Sequence, residues 1–369
     1  MRIGILTFHC AHNFGAVLQA FALQSQLQLM GYDVNIINYR PKYLDKGYPQ
    51  LHYWMFTHGR AWNTIKRYFK LTRKEQKSYK KYMSFERKYM ISTKRCETPD
   101  NLIDIINRFD YLILGSDQIW NEKFNGSETI WLGDIKSFKG KIITYAASAG
   151  NHEFSMDFRE KLKKILPLYK SISVREPSLI PKLKELTNKN LDIKTVLDPT
   201  LMVNPAIWNQ FKQRIYKKNY ILCYQARKSE DTFRIAQKLS KQLKTDIVSV
   251  DLWNNSFRDG VKNIIIAPNE FISLVQHATC VITTSFHGTA ISIICNTPFY
   301  ALKLDDGADE RIEYLLQLTG LKDRMIHKSS TPLFSTCNYK EVNNKLSNIR
   351  ILSQEYLKDS LNNTLLILM

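Results

Sequence analysis

The feature that most constrains the fold of this chain is an alternation of short apolar segments with amphipathic ones, which occurs twice. In the first half, residues 3–8 and DVNIINY predict strands, and residues 16–31 between them predict a helix that ends at Gly31. Further strands are predicted at YLILG, KIITYAA, SISVRE and TVLDPTLM, and the pattern restarts at NYILCYQ. Strands that alternate with helices form largely parallel sheets. We therefore expect an α/β protein with two Rossmann-like domains that face a cleft.

The length of the chain supports the same division. A single core rarely grows beyond about 250–300 residues, and this chain has 369. We predict an N-terminal domain at 1–205, a C-terminal domain at 206–345 and a final helix at 346–369. A basic, aromatic segment at about 41–100 is predicted to be an insertion in the first domain, helical from Ala61 to Tyr89.

Basic residues are concentrated in that insertion. Between Arg60 and Arg95, thirteen Lys or Arg stand against two Glu, within a formal net charge of +19. Three interpretations remain open: a solvated helix face, contact with an anionic membrane surface, and binding of a nucleic acid or another acidic polymer. We expect no nucleic acid, because no nucleic-acid-binding motif accompanies the segment.

The sequence shows no apolar run long enough for a membrane span and no secretory leader. Its six cysteines are scattered without a CxxC pair, which favours a reducing compartment without disulfides or a zinc site. His9 and His12 have no acidic or cysteine residue at metal-ligand spacing. We expect a cytoplasmic protein with no bound metal and no cofactor.

The turn in TTSFHGTAISIICNTP is the first candidate site. The strand CVITTS ends before it, and a helix from Thr289 to Cys295 is predicted after it. Free backbone N–H groups at such a helix start bind anions. Ser285 can donate a hydrogen bond, His287 can bind an anion or move a proton, and Gly288 lets a ligand approach the backbone. The alternative is a capped helix start with a core histidine.

Two further strand ends carry polar side chains that suit a sugar. Asn13 and Gly15 occupy the first turn, which lacks the GxGxxG spacing of a dinucleotide site. After YLILG come four side chains typical of carbohydrate recognition, Asp117, Gln118, Trp120 and Asn121. Carboxylate and amide groups bind hydroxyls, and an indole stacks on a pyranose face. The alternative is a loop whose Asp caps the next helix.

Arginines follow two more predicted strands. Arg175 closes SISVRE, and Arg311 opens a helix after the acidic string DDGADE. A guanidinium binds carboxylate or phosphate through two parallel hydrogen bonds. Both arginines are therefore candidates to hold an anion, and the alternative for each is a surface ion pair.

Taken in order, these segments resemble the polysaccharide pyruvyl transferase family along essentially the whole chain. The segments are GILTFHCAHNFGAVLQAFALQ, FDYLILGSDQIWN, YAASAG, ISVREPS, VLDPTL, CVITTSFHGTAISIICNTPF and DERIEYLLQLTGL. Each is short, but seven in the family's order are specific, and on them the chain is identified as a member of that family.

The resemblance implies a two-domain fold similar to GT-B glycosyltransferases, with the active site in the cleft. It also implies transfer of the enolpyruvyl group of phosphoenolpyruvate onto two sugar hydroxyls, giving a pyruvate ketal on a surface polysaccharide. A lipid-linked oligosaccharide is one candidate acceptor, which would bring the protein to the inner membrane face.

The candidate residues then take three roles. His287 and Asp117 are the expected catalytic residues. The expected donor-binding residues are Ser285, Gly288, Arg175 and Arg311, and the expected acceptor-binding residues are Asn13, Gly15, Gln118, Trp120 and Asn121. Family membership alone does not fix an activity. Two other functions therefore stay open, a GT-B sugar-nucleotide glycosyltransferase and a non-catalytic glycan-binding protein of a polysaccharide locus.

Overall fold

The first half of the chain builds a parallel sheet from apolar strands. The computed structural model describes residues 1–45, 61–135, 137–187, 191–250, 260–330 and 332–362, with the backbone alone described at 61–72. Its first four strands are β1 (Arg2–Leu6), β2 (Asp33–Ile36), β3 (Tyr111–Leu114) and β4 (Lys141–Thr144), in the order β2-β1-β3-β4. All neighbours are parallel, and Ile3 lies opposite both Val34 and Tyr111.

Two further segments extend this sheet at its edges. Beyond β4, the parallel pair β5 (Ile172–Val174) and β6 (Ile193–Thr195) is joined to it by bridges from Ile143 to Ser171 and from Ala147 to Val174. Beyond β2, residues 91–96 run parallel to the chain that follows β2. With both additions, the strand order is that of a Rossmann sheet, which reverses between β1 and β3.

The second half repeats the arrangement. Its strands are β7 (Tyr220–Tyr224), β8 (Asp246–Ser249), β9 (Val261–Asn263), β10 (Cys280–Thr283), β11 (Phe299–Lys303) and β12 (Met325–His327). They form one parallel sheet in the order β12-β11-β10-β7-β8-β9, which reverses between β7 and β10. The expected α/β class with two Rossmann-like units is therefore confirmed. The N-terminal unit below carries β1–β6, and the C-terminal unit carries β7–β12.

Helices cover the faces of both sheets. In the N-terminal unit they are α1 (Phe14–Leu29), α2 (Ala61–Tyr89), α3 (Pro99–Ile106), α4 (Met156–Ile165), α5 (Leu179–Lys184) and α6 (Pro199–Met202). The C-terminal unit has α7 (Glu230–Leu243), α8 (Pro268–His277), α9 (Phe286–Ile294) and α10 (Glu310–Thr319), and α11 (Tyr339–Leu361) follows. Short 3₁₀ segments lie at Thr129–Leu132, Leu166–Leu168, Pro205–Phe211 and Lys322–Arg324.

One apolar core runs through both units. Helix α1 is buried on nearly all sides and packs against α6, α8 and α9. Phe14, its first residue, stacks on Phe271 of α8 at 4.7 Å and on Tyr82 of α2 at 5.4 Å. Helix α11 then crosses back, because the Tyr356 hydroxyl donates to the Thr144 carbonyl of β4 at 2.8 Å. These contacts fix the relative position of the two sheets and of the cleft between them.

Two expectations about elements were wrong. TVLDPTLM is not one strand, because Asp198 caps the short helix α6 and Pro199 is its first residue, where proline is favoured. Helix α9 begins at Phe286, before the expected Thr289, so His287 and Gly288 lie inside its first turn. The helix expected in the basic segment from Ala61 to Tyr89 is confirmed as α2, which connects β2 to the 91–96 edge and buries Tyr82 and Phe85. Residues 363–369 of the expected final helix lie outside the described part of the chain.

Candidate active site

The two points where strand order reverses face each other across the cleft. The turn after β1 leads into α1, and the turn after β10 leads into α9. Gly15 of α1 lies so close to His287 of α9 that a Cβ added to Gly15 would stand 2.0 Å from His287 Nδ1. Ligands of open α/β sheets bind beyond the carboxyl ends of strands at such reversals. The candidate site is therefore built by both units.

Asp198 is the centre of the site. Its side chain is completely buried, and Oδ2 accepts a hydrogen bond from Arg175 Nη1 at 2.8 Å. The same oxygen lies 3.5 Å from His287 Nε2, and Oδ1 accepts from both the backbone and the hydroxyl of Thr200. Burial alone would raise the pKa of Asp198, but the adjacent His287, Arg175 and Thr200 lower it well below its ordinary value. Asp198 is therefore an anion that orients its basic neighbours.

Two guanidinium groups lie against one aromatic ring. The Arg175 guanidinium carbon is 4.9 Å from the centre of the Phe286 ring, and that of Arg311 is 5.8 Å from it. Burial, followed by the positive charge of Arg175, lowers the pKa of Arg311 to about 10. The negative charges of Glu176 and Asp117 act in the opposite direction and raise this pKa. Arg311 forms no ion pair within the described ranges.

Several N–H donors around Asp198 have no partner. Among the described residues, the buried atoms without a hydrogen bond include Arg175 Nε and Nη2, His287 Nε2 and Arg311 Nε. Buried donors are normally satisfied, and leaving one unpaired costs about 1–3 kcal/mol. Arg175, Asp198, Phe286 and Arg311 line a small cavity whose remaining lining is mostly apolar, and His287 is not part of that lining. The arrangement is suited to an anionic ligand with several acceptor oxygens.

Two more carboxylates flank Arg175. Asp117 Oδ1 is 3.8 Å from Arg175 Nη2 and accepts the backbone N–H of Gln118 at 2.8 Å. Asp117 has a φ of 72°, a left-handed conformation that is uncommon outside glycine. Glu176 Oε1 accepts the Ser148 hydroxyl at 2.6 Å and two backbone N–H groups, while Oε2 stays 3.8 Å from Arg175 Nε. Arg175 is thus held in place while two of its nitrogens stay available.

The start of α9 supplies His287, and the residue before the helix satisfies one of its free backbone N–H groups. The Ser285 hydroxyl oxygen accepts the backbone N–H of Gly288 at 3.3 Å, so Ser285 acts as the helix N-cap. The absent side chain of Gly288 is explained by packing. A Cβ there would lie 2.2 Å from Thr283 Oγ1 and 2.9 Å from the Tyr224 ring. This close approach of helix and strand gives Gly288 a structural role independent of any ligand.

Arg227 connects this turn to the start of α10. It donates to the Thr284 carbonyl from Nε and Nη2, and it pairs with Asp306 and with Asp309, the latter at 2.8 Å. Asp309 in turn accepts the backbone N–H groups of residues 304 and 305. Across the cleft, a Cβ on Gly307 would lie 1.9 Å from Asn151 Nδ2. The 305–309 loop therefore positions Arg311 and contacts the opposite unit.

The expected acceptor residues are distributed differently from the prediction. The structure corrects the expectation for Trp120, which is fully buried and stacks in parallel on Tyr169 at 6.4 Å, so its ring cannot receive a sugar. Asn121 Nδ2 donates to Gln118 Oε1 at 3.0 Å, which joins the two side chains within their own loop. Asn13 caps α1 by accepting from the N–H groups of residues 15 and 16. Within this set, Gly15 lies against His287, and the backbone of Gln118 bonds Asp117.

The structure places three predicted site residues, Arg175, His287 and Arg311, around Asp198 and Phe286. The prediction from sequence missed two residues of the site. Asp198 was hidden inside a segment interpreted as a strand, although an Asp-Pro pair is a typical helix start. Arg175 directly follows β5, whereas Arg227 lies three residues beyond the end of β7. A search for charged residues within three positions after every strand would have found Arg227.

Fold and site together define a class: an α/β protein with two Rossmann-like units and a cluster of buried charged side chains in the cleft between them. The sequence comparison then gives the family. Residues 13–306 match polysaccharide pyruvyl transferase, and the chain belongs to this family. It is therefore a transferase. A comparison with curated proteins gives no match.

Solved structures with a similar fold come from other enzymes. The UDP-GlcNAc 2-epimerase of Methanocaldococcus jannaschii aligns at 12% identity and a TM-score of 0.48, over 94% of this chain and 92% of that one. UGT89C1 of Arabidopsis thaliana gives 10% and 0.45, over 98% and 95%. MnaA of S. aureus, solved with UDP, gives 10% and 0.48, over 96% and 89%. The similarity concerns the fold alone. Among the helices described, none is long and apolar enough to cross a membrane.

Proposed function

We propose that this protein transfers the enolpyruvyl group of phosphoenolpyruvate onto two hydroxyls of a sugar, which forms a pyruvate ketal and releases phosphate. The observation that carries the proposal is the set of unpartnered donors on Arg175, His287 and Arg311. Phosphoenolpyruvate carries its phosphate and its carboxylate on the same carbon, C2. Two guanidinium groups on one ring, with an imidazole beside them, match two anionic groups at short separation.

In the proposed reaction, each candidate residue acts at a defined atom of the donor or the acceptor. His287 gives a proton to the methylene carbon, and positive charge develops at C2. A sugar hydroxyl attacks C2, and its proton passes to Asp117. Phosphate leaves with the electrons of its bond to C2, held by Arg175 and Arg311. The second hydroxyl attacks C2, gives its proton to the released phosphate and closes the ring. Phosphoenolpyruvate and a diol thus give a ketal and phosphate.

The proposal includes a cytoplasmic protein that meets a lipid-linked acceptor at an anionic membrane surface. Arg73, Lys77, Lys80 and Arg87 are exposed at positions that repeat along one face of α2. Tyr82 and Phe85 of the opposite face are buried against the protein. Membrane contact would therefore be electrostatic, without inserted rings from this part of α2, and would weaken as salt is added.

A thermal-shift titration tests the donor. A ligand that binds only the folded state raises the melting temperature. We expect stabilisation of the wild type by phosphoenolpyruvate and none by UDP-, GDP- or CMP-sugars, with the effect lost in His287→Ala. His277→Ala is the matched control, because His277 lies at the far end of α8 and bonds only the Ser273 carbonyl within the described residues.

The other outcomes select the other functions. Stabilisation by a nucleotide sugar alone would replace pyruvyl transfer with glycosyl transfer. Stabilisation by no phosphate ester, together with binding of a glycan, would leave a non-catalytic glycan-binding protein. Either result would overturn the proposal.

A further inference from the structure

A second polar cluster lies at the carboxyl ends of β1 and β2, outside the site described above. His12 belongs to the turn after β1, and Arg40 and Asp45 belong to the chain after β2. Glu86 of α2 and Arg95 of the sheet edge complete the group, which we call the Asp45 cluster. Three different connections of the N-terminal unit thus bring charged side chains to one place.

The contacts within the Asp45 cluster are uneven. Arg40 Nη2 is directly bonded to Glu86. The Asp45 side chain is 2% exposed, yet its oxygens lie 3.3 Å from Arg95, 3.5 Å from Arg40 Nη1 and 3.9 Å from His12 Nε2. Within the described residues, neither Asp45 oxygen forms a hydrogen bond, and Arg40 Nη1 and His12 Nε2 also have none. The buried carboxylate thus forms ion pairs with three basic side chains, but none of these contacts has hydrogen-bond geometry.

This pattern indicates the chemistry of a missing partner. A buried carboxylate without hydrogen bonds is costly, and native structures rarely leave one. Asp45 can only accept and Arg40 can only donate, so a group that bridges them must both donate and accept. A hydroxyl does so. An anion would be repelled by Asp45 and Glu86, and a cation by Arg40 and Arg95. A neutral molecule with several hydroxyls fits best.

The surroundings of His12 favour the same ligand. Its ring meets Tyr79 edge-on at 5.0 Å and lies 5.6 Å from Tyr82. Tyr82 is buried, but Tyr79 is half-buried, and an aromatic ring beside hydroxyl-binding groups suits a sugar, whose ring carries apolar C–H groups between its hydroxyls. Gly15, three residues further along the same turn, touches His287. A sugar at the Asp45 cluster would therefore lie on the acceptor side of the Asp198 site.

We propose that His12, Arg40 and Asp45 form a subsite that binds the hydroxyl groups of a neutral sugar, with Asp45 and Arg40 as its hydrogen-bonding pair and His12 as one wall. This inference rests on the proposed function and adds the place of the acceptor. The subsite takes the role first expected of Trp120, Gln118 and Asn121, whose groups are buried or bonded to each other.

The test is saturation-transfer NMR on the full chain, with methyl glycosides of glucose, galactose, mannose and N-acetylglucosamine titrated at millimolar concentration. The variants are Asp45→Asn and His12→Gln. Asp246→Asn is the matched control, because Asp246 also pairs with a lysine and a hydroxyl, but on β8 of the C-terminal unit. We expect at least one glycoside to bind the wild type and the control. In both test variants its Kd should rise at least about tenfold, the loss expected for a charged hydrogen bond.

Absence of signal from all four glycosides would overturn the subsite, as would binding that both variants leave unchanged. His12→Gln keeps the test valid if Asp45→Asn does not fold, since the His12 side chain is 24% exposed. A phosphoenolpyruvate thermal shift on Asp45→Asn or His12→Gln separates the two proposals. If that shift persists while no glycoside binds, only the subsite fails. If glycosides bind as predicted and phosphoenolpyruvate never stabilises, only the donor proposal fails.

Discussion

The Asp198 site and the Asp45 cluster contain the same kinds of side chain, but they differ in which atoms are without a hydrogen bond. In the first, the carboxylate is saturated by Arg175 and Thr200, and the unpaired atoms are N–H donors. In the second, Arg40 is bonded to Glu86, and the atoms without a hydrogen bond include both oxygens of the carboxylate beside Arg40 Nη1 and His12 Nε2. Net charge alone would not separate the two, since each mixes acids with bases. The unpaired atoms do: the first group is suited to an anion and the second to hydroxyls.

Among the variants considered, removal of the Asp198 carboxylate should cause the largest loss of activity and stability. In Asp198→Asn, Arg175 loses its buried counter-charge, and Thr200 loses a charged acceptor. We expect transfer to fall by about 10³-fold or more and the free energy of unfolding to fall by about 3–5 kcal/mol. Steady-state kinetics and urea unfolding measure both, with Asp246→Asn as the control. Near-normal activity would show that Asp198 does not organise the site.

The pH dependence of stability supplies a second measurement on that variant. The pKa of Asp198 is lower in the folded protein than its ordinary value of about 3.9. Its contribution to stability is therefore complete above that ordinary value and is lost as the pH falls below it. We expect unfolding free energy to fall more steeply between about pH 5 and pH 2 in the wild type than in Asp198→Asn. Parallel curves would contradict the charged, paired state of Asp198.

Gly15→Ala acts in the first turn of α1, three residues after His12 and directly against His287. The added methyl would overlap the His287 ring, so the imidazole must move away from Asp198 or from the donor. A displacement of about 1 Å at a catalytic group costs on the order of 10²-fold in rate, and we expect that loss in kcat. The control Ala16→Gly changes the same turn of α1 without touching His287. Unchanged kcat in Gly15→Ala would mean that His287 can act from another position.

Arg311→Lys should weaken the donor and leave the acceptor unaffected. Lysine keeps the charge but loses the planar fork and the contact with the Phe286 ring. We expect the KM for phosphoenolpyruvate to rise about 10- to 100-fold, with glycoside affinity unchanged. Arg324→Lys is the control, since Arg324 is also buried over an aromatic ring, that of Tyr300. Equal losses for donor and glycoside would show that the two sites are not separate.

The sequence predicted those parts of the molecule that depend on local pattern. Alternating strands and helices gave both sheets, and polar residues directly after strands included Arg175 and His287. What it could not give depends on packing between distant segments. Asp198 matters because β5 and α9 bring Arg175 and His287 to it, and Trp120 is core because Tyr169 covers its ring. A polar string after a strand does not reveal which of its side chains turn inward.

Trp120→Phe should have the smallest effect on either ligand. Its indole is buried and its Nε1 lacks a hydrogen-bond partner among the described residues, so phenylalanine removes an unpaired donor while it leaves a small cavity. These two terms oppose each other, and we expect stability to change by about 1 kcal/mol or less. The KM for phosphoenolpyruvate and the glycoside Kd should stay within about twofold. Trp208→Phe is the matched control. Trp208, in the 3₁₀ segment Pro205–Phe211, is also buried, and its Nε1 also lacks a hydrogen bond within the described residues. A tenfold loss of glycoside affinity in Trp120→Phe alone would return the acceptor to the 117–121 loop and remove it from the Asp45 cluster.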